Sequence, residues 1–405
     1  MRILHTSDWH LGKLLEGNSR LNEQEKFIND FTNIVKGNNV DMVIIAGDIY
    51  DTSNPPAKAE ALFCKALEDI SDGGKRCVVV IAGNHDNPDR LTSVIPLASD
   101  NGIIILGTPQ DVPITGKFPG FEIVNSKESY FEVQIKGETA CVIALPYPSE
   151  KRLNDIIFES FDEKEMQRSY SEKIKDILGK LSKNYREDTI NILTSHLYVN
   201  GGETCSSERP IQLGGSLAVN LSDIPDTVQY TALGHLHKAQ KMGNKNVYYS
   251  GSPIQYSESE IGYSKLCYLV DIKANENPKV KQIYINNYKP IEVWKCNSIE
   301  EATERCRENS ERECYCYIKI KTDRVISQLE MKEMHDYKKD IISITPEMEK
   351  SDEEEAEYES IESKSMKELF EDFYKHEKGI EADKELVEMF LKIAEGSDED
   401  EAKED

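Results

Sequence analysis

Five apolar runs in this chain each give way to side chains that can hold a metal ion. Arg2–Thr6 leads into Ser7-Asp8-Trp9-His10, Met42–Ala46 into Gly47-Asp48-Ile49-Tyr50-Asp51, and Val78–Ala82 into Gly83-Asn84-His85-Asp86. Further along, Ile190–Thr194 leads to Ser195-His196, and Tyr230–Leu233 to Gly234-His235-Leu236-His237. Delivered to one sheet edge, these carboxylates, imidazoles and one amide would line a pocket suited to two divalent cations of the manganese class. The chemistry of such a pocket is metal-assisted hydrolysis of a phosphate ester. Taken singly, D-x-H and H-x-H are weak signals in a chain of 405 residues. Their joint occurrence, in order and each at a strand end, is a strong one. Strand alternation would put Asp8 with His10, and His235 with His237, on the same side. Gly47 and Gly83 would let the backbone turn sharply beneath a ligand.

The elements that must position these residues are legible in the hydrophobic period. Residues 1–100 read as strand, helix, strand, helix, strand, helix. Leu21–Lys36 places Phe27, Ile28, Phe31, Ile34 and Val35 on one helical face, and Gly37 ends it. Pro55-Pro56 opens a second helix with Leu62, Phe63, Ala66, Leu67 and Ile70 inward, stopped at Gly73-Gly74. This alternation predicts βαβ crossovers and a largely parallel sheet with its site at the C-terminal strand ends. Between 103 and 145 the helical period is lost. Short strands are expected at Phe121–Val124, Tyr130–Lys136 and Thr139–Leu145, with turns at Asn125-Ser126 and Lys136-Gly137. A helix follows at 162–183, and Gln229–Leu233, Val247–Ser250 and Leu266–Ile272 supply strands for a second sheet facing the first. The fold class is α/β, a two-sheet sandwich flanked by helices, over residues 1–285.

Residues 286–348 form a smaller unit. Strand Ile291–Lys295, helix Ser298–Asn309, strand Cys314–Lys321, helix Ile326–Lys339 and strand Ile341–Ile344 make a β-α-β-α-β module. Cys314, Cys316, Ile318 and Ile320 alternate with polar neighbours, which explains the cysteines as small inward hydrophobes. Residues 349–361 read as an acidic linker, 362–396 as two short amphipathic helices, and 397–405 as an acidic tail. The first helix has Ser365 and Glu368 as a capping box and a stripe of Met366, Leu369, Phe370, Phe373 and Tyr374. The second carries Leu386, Val387, Phe390, Leu391 and Ile393. Each is about three turns long and marginal alone in water, so docking on a partner is preferred over packing on the chain's own domain.

The net charge of −25 argues against a nucleic-acid partner until its location is considered. Residues 351–405 hold 22 acidic and 7 basic side chains, which accounts for more than half of it. Bound cations would also reverse the local potential of a carboxylate-lined site. Long DNA would nonetheless need a more basic partner chain for part of its surface. No apolar run is longer than the six residues of Cys77–Ala82, far too short to span a bilayer, so no membrane association is expected. Nine cysteines form no C-x-x-C pair, and the N-terminus enters a strand without a signal-peptide core. Both point to reduced thiols and a cytoplasmic location.

D-x-H, G-D-x-x-D, G-N-H-D, a lone strand-end histidine and G-H-x-H together resemble the signature of the calcineurin-like metallophosphoesterases. Met1–Lys13 (MRILHTSDWHLGK), Gly83–Asp86, Gly234–Lys238 (GHLHK) and Tyr249–Tyr256 (YSGSPIQY) narrow the likeness to the SbcD-type nucleases of that superfamily. The likeness is specific over residues 1 to about 285 and architectural beyond. It implies a capping domain at 286–348 and a helix-loop-helix partner-binding segment at 362–396. One manganese would be held by Asp8, His10, Asp48 and His237, and a second by Asp48, Asn84, His196 and His235, with Asp48 bridging; magnesium is the other candidate cation. His85 resembles the family's catalytic histidine, which would stabilise the transition state or protonate the departing sugar oxygen.

The same resemblance implies a manganese-dependent DNA nuclease, a 3′-to-5′ exonuclease on double strands and an endonuclease on single strands and hairpins. Its expected partner is an SbcC-type ATPase with a coiled coil, in a heterotetramer of two nuclease and two ATPase chains acting in recombination, replication and repair. An alternative keeps the chemistry and changes the substrate: a small-substrate metallophosphodiesterase or phosphatase. A scaffold that had lost activity would show gaps in the ligand set, and none is found. Among the remaining groups, Asp51 and Asp86 either orient a ligand histidine or cap the next helix, with the cap favoured. His5 reads as a buried, satisfied histidine and His335 as a surface residue. Lys13, Arg20 and Arg90 could hold DNA phosphates, with surface solvation the default for each.

Overall fold

The computed structural model describes residues 1–154, 163–208, 217–347 and 366–378, together with 382–384, 386–387 and 389–391. The expected linker 349–361, the tail 397–405 and the rest of 362–396 lie outside the described residues. Two compact units are present, the first made of most of the chain up to Tyr288 and the second chiefly of the chain from Lys289 onward.

In the first unit the chain opens as β1 (Arg2–Thr6), α1 (Leu21–Gly37), β2 (Met42–Ala46), α2 (Ala57–Ser71), β3 (Cys77–Ile81) and β4 (Ile103–Leu106). It continues through β5 (Glu122–Lys127), β6 (Tyr130–Ile135), β7 (Glu138–Leu145), α3 (Glu163–Leu181), β8 (Ile190–His196), β9 (Tyr230–Gly234) and β10 (Val247–Tyr249). It closes with β11 (Leu266–Asp271) and β12 (Lys279–Tyr284). One sheet runs β12-β11-β1-β2-β3-β4. The other has Gln240–Lys241, β10, β9, β8, β7, β6, β5 and Gly116–Lys117 in that order. β1 to β4 are parallel, as are β7 to β10 along the second sheet.

Period-two alternation explains how one run of β-branched residues serves two cores. Val78 and Val80 of β3 pack on the side that takes Phe27 and Phe31 of α1 and Phe63 of α2. Val79 and Ile81 face the second sheet, among Val133, Val142 and Ile192. Each such side chain contributes roughly 1.5–3 kcal/mol by leaving water, so the strands must stack in register. β2 accordingly packs across onto β8 and β9, which brings the C-terminal ends of both sheets' central strands together.

Three details depart from the sequence reading. β11 joins the first sheet, antiparallel to β1, rather than the second. The parallel series leaves one edge of β1 open, and alternation within a strand does not say which edge it will pair with. Asn125-Ser126 continues β5 through a register shift between Ile123 and Asn125, and the chain turns instead at Ser129, where φ is 51°. A small hairpin of Leu14–Leu15 with Asn18–Ser19 falls inside the first site loop.

The second unit holds a parallel three-stranded sheet of β13 (Ile291–Cys296), β14 (Tyr315–Lys321) and β15 (Ile341–Glu347), connected by α4 (Ile299–Glu308) and α5 (Gln328–Tyr337). Ser298 caps α4, and Ser327 with Glu330 forms a capping box on α5. Cys314 and Cys316 are buried in this unit's core with Trp294 and Ile318. α6 (Met366–Lys378) follows, and its Phe370 ring stacks on Phe390 at 4.0 Å and 8°. Among the described residues, no helix is long and apolar enough to cross a membrane.

Candidate metal centre

All seven residues expected as ligands lie at C-terminal strand ends of the sandwich. Asp8 and His10 follow β1, Asp48 follows β2, Asn84 follows β3, His196 ends β8, and His235 and His237 follow β9. Strand alternation is not what gathers them. Asp8 (φ 53°), His10 (φ 43°), Asp48 (φ 51°) and His235 (φ 106°) adopt left-handed backbone, which non-glycine residues rarely do and which concentrates at functional sites. The turns are held by their neighbours: Asp8 N–H donates to Gly47 O at 3.0 Å, His10 N–H to Asp48 O at 3.0 Å, and Leu11 N–H to Ile49 O at 2.8 Å. The His235 N–H donates to Asp8 Oδ1 at 2.8 Å, which ties the first loop to the last.

Two glycines make the close approach possible. A Cβ at Gly47, where φ is 91°, would run into the His196 ring, and one at Gly83 would run into the Asp48 carboxylate.

The buried ring nitrogens and carboxylates form overlapping groups. Asp8, His10 and His237 bring ligand atoms within 4.8 Å of one another, as do Asp8, Asp48 and His196. Asp48 Oδ2 lies 3.4 Å from His196 Nε2 and 3.6 Å from His10 Nε2. Asn84 Oδ1 lies 2.9 Å from His196 Nε2 and 3.3 Å from His235 Nδ1. His196 Nδ1–H donates to the Ala46 carbonyl at 2.9 Å, so its Nε2 confronts two oxygen acceptors. His10 and His237 likewise bring their Nε2 atoms to 3.0 Å.

Burial pushes the Asp8 carboxyl up to about 6, although His196 and His237 oppose it. Burial also works to raise Asp48, but His196 and His85 outweigh it and hold that carboxyl well below its usual range. For His196, burial works downward and Asp48 outweighs it, raising the ring to about 9. His10 is driven down to about 3 by burial, and His235 well below its ordinary value for the same reason. Carboxylates, imidazoles and an amide oxygen converging on one space fit a divalent cation, whose binding would displace the proton that the metal-free site favours on His196.

His85 stands beside this group. Its Nδ1–H donates to the Asp51 carbonyl at 2.6 Å, its N–H donates to Asp48 Oδ1 at 3.0 Å, and its Nε2 is 3.9 Å from Asp48 Oδ2. The helix-cap readings of Asp51 and Asp86 do not hold. Pro56 occupies the cap position of α2, and Asn87 that of a short helix, Pro88–Thr92. Asp51 Oδ1 is 3.5 Å from His10 Nδ1 and accepts from Lys13 Nζ at 2.6 Å. Asp86 accepts the N–H groups of Ile49, Tyr50 and Gly83, which braces the two loops that carry Asp48 and Asn84.

Arg20 is buried and bonded to Glu23 Oε1 and to the Gln255 carbonyl, so it is neither a phosphate contact nor a solvated residue. Arg90 pairs with Glu60 and Asn54. His5 is buried and satisfied by Tyr230 and the Leu233 carbonyl, and His335 is exposed, both as expected. Sequence reasoning missed Arg152, whose guanidinium donates to the carbonyls of Gly83 and Asp86 on either side of Asn84-His85. It also missed the group of Ser207, Glu208, Glu260 and Lys265 behind His237. Only the proximity of Glu260 to the Tyr249–Tyr256 run pointed there.

Residues 1–239 match the calcineurin-like phosphoesterase family, and residues 287–378 match a domain described as the type 5 capsule protein repressor C-terminal domain. The fold, the site and a match over more than half of the chain define its class: a calcineurin-like phosphoesterase, a metal-dependent hydrolase of phosphate esters. Within that class the chain belongs to the SbcD family. It is 41% identical to the SbcD component of the SbcCD nuclease of Bacillus subtilis (strain 168), with 100% of each chain covered. It is also 29% identical to the SbcD component of the Staphylococcus epidermidis (strain ATCC 12228 / FDA PCI 1200) nuclease, over 68% of this chain and 67% of that one. In fold it is similar to a dimetal phosphatase from Danio rerio, at 11% identity and a TM-score of 0.36, covering 70% of this chain and 98% of that one.

Proposed function

We propose that the protein is a manganese-dependent DNA nuclease, the catalytic component of an ATP-dependent SbcCD-type complex. It acts as a double-strand 3′-to-5′ exonuclease and a single-strand and hairpin endonuclease in the cytoplasm, serving recombination, replication and repair. One observation carries this reading: a buried cluster of hard and borderline ligands lies in a chain that matches an SbcD component of the SbcCD nuclease end to end.

Asp8, His10, Asp48 and His237 would hold one cation and Asp48, Asn84, His196 and His235 the other. When bound, the pair supplies Lewis-acid polarisation of the phosphoryl group and a nucleophilic water. The remaining work falls to the chain itself. His85 commits its Nδ1–H to the Asp51 carbonyl, so that as the imidazolium it would pass the Nε2 proton to the departing sugar oxygen and return to the neutral Nδ1–H ring. Asp48 holds the His85 backbone N–H, and Asp86 locks the loops on which both stand. Arg152 fixes the two carbonyls that flank Asn84 and His85, so neither can drift from the reacting phosphate.

Residues 286–348 would act as the capping domain and 362–396 as the segment that grips an SbcC-type ATPase. Phe373 is exposed on α6, which suits an amphipathic helix laid in a partner's groove. Two nuclease and two ATPase chains would assemble, with the ATPase supplying basic surface that this acidic chain lacks.

The deciding assay follows hairpin and blunt duplex DNA, with and without the ATPase chain, in manganese and then in EDTA. Manganese-dependent cleavage of the hairpin is the expected result. Hydrolysis of bis-p-nitrophenyl phosphate with no cleavage of any DNA would instead establish the small-substrate phosphodiesterase.

A further inference from the structure

A buried acid–base group stands behind His237 that the proposed catalytic scheme does not use. His237 turns its Nε2 toward His10 and its Nδ1 away from the cluster, to within 2.7 Å of Ser207 Oγ and 3.5 Å of Glu260 Oε1. Ser207 Oγ–H donates to Glu260 Oε1 at 2.5 Å, so the serine must accept from His237 Nδ1–H. Glu260 is fully buried, and its carboxylate is held by the Lys265 ammonium, by Ser252 Oγ at 3.0 Å and by the Tyr256 N–H at 3.0 Å. Lys265 Nζ also donates to the His237 carbonyl at 3.2 Å. The same histidine is therefore gripped by its ring and by its backbone.

We propose that Glu260, acting through Ser207, is a positioning residue that fixes His237 as the Nδ1–H tautomer and presents its Nε2 electron pair to the metal cluster. The physical reason is directional. Nothing in the hydroxyl–carboxylate pair can donate to Nδ1 once Ser207 has given its proton to Glu260, so the ring proton is confined to Nδ1. A ligating histidine whose other nitrogen donates to a carboxylate or its relay is more basic and is locked in orientation. A buried carboxylate is stable there only because Lys265 neutralises it. The effect is selective: His196 uses the Ala46 carbonyl instead, so the relay serves the Asp8–His10–His237 side alone.

This inference rests on the two-cation reading, and the test separates the two. The variants, made in the full chain, are Ser207→Ala, Ser207→Thr and the double change Glu260→Gln with Lys265→Met, which leaves no unpaired buried charge. Mn2+ binding is titrated by electron paramagnetic resonance, and the ring tautomer of His237 is read in the metal-free protein from 15N shifts. The expected result is that Ser207→Ala and the double variant lose about 10–100-fold in affinity at one Mn2+ site with the other unchanged. Both then show a mixed His237 tautomer, and Ser207→Thr restores the wild-type behaviour. Wild-type affinity at both sites with an unchanged tautomer in Ser207→Ala overturns the inference, even if the double variant fails to fold. A wild type that binds no Mn2+ defeats the two-cation reading, while the tautomer measurement still decides the role of Glu260.

Discussion

His10 and His237 face each other through Nε2 atoms 3.0 Å apart, although 227 residues separate them in the chain. Burial drives the His10 ring toward neutrality; burial also works to lower His237, but Glu260 and Asp8 outweigh it and raise that ring, whose Nδ1–H donates to Ser207. A cation between the two nitrogens would take the place of any proton they share. Manganese should therefore stabilise the fold itself. At a free concentration of 100 times Kd, one site adds about 2.7 kcal/mol. A thermal melt that is the same in manganese and in EDTA would count decisively against a metal centre.

His85 is expected to matter for turnover and not for cation binding, since its Nδ1 is engaged by the Asp51 carbonyl. His85→Gln should lower cleavage of hairpin DNA by roughly 10²–10⁴-fold while leaving Mn2+ titrations unchanged. Loss of Mn2+ binding in this variant would make His85 a ligand and displace it from the proton-transfer role.

Gly83 has no room for a methyl group, because a Cβ there would meet the Asp48 carboxylate. Gly83→Ala should displace Asp48 and abolish Mn2+ binding in whatever fraction folds. Full occupancy by calorimetry in a folded Gly83→Ala protein would show that Asp48 does not need its present position.

His5 makes a pH prediction free of the metal site. Burial lowers its pKa from 6.5 to about 3, with the bond to the Leu233 carbonyl acting weakly the other way. As pH falls below 6.5 the unfolded chain takes up a proton that the folded chain refuses until about pH 3, so stability declines across that window. His5→Gln should cost about 1–3 kcal/mol near neutrality, yet its urea midpoint should fall more slowly on acidification. Parallel midpoints from pH 7 to 4 would mean that His5 already carries a proton in the fold.

Arg20 tests the difference between a buried brace and a phosphate contact. Removing it leaves Glu23 unpaired in the interior, and Arg20→Ala should lose roughly 3–5 kcal/mol of stability. DNA affinity of the folded protein should not change. A fall in affinity and in its salt dependence, at wild-type stability, would return Arg20 to the DNA surface.

The candidate ligand residues stood out because each closes an apolar run and several follow a glycine, a pattern written over a few consecutive positions. The helices were legible for the same reason, as in the period of Phe27, Phe31 and Val35. Long-range geometry decided the rest. Nothing local tells β11 to pair with the open edge of β1, or tells Asp8 and His10 to reach one pocket through left-handed turns. The role of Glu260 was hidden because Ser207 and His237 lie 53 and 23 residues from it in the chain, although its counter-ion Lys265 is only five positions away. Residue type and spacing thus determined which chemistry this chain can perform. The close approach of distant backbones determined which groups hold the reacting ones in place, because hydrogen bonds act over about 3 Å whatever the separation in sequence.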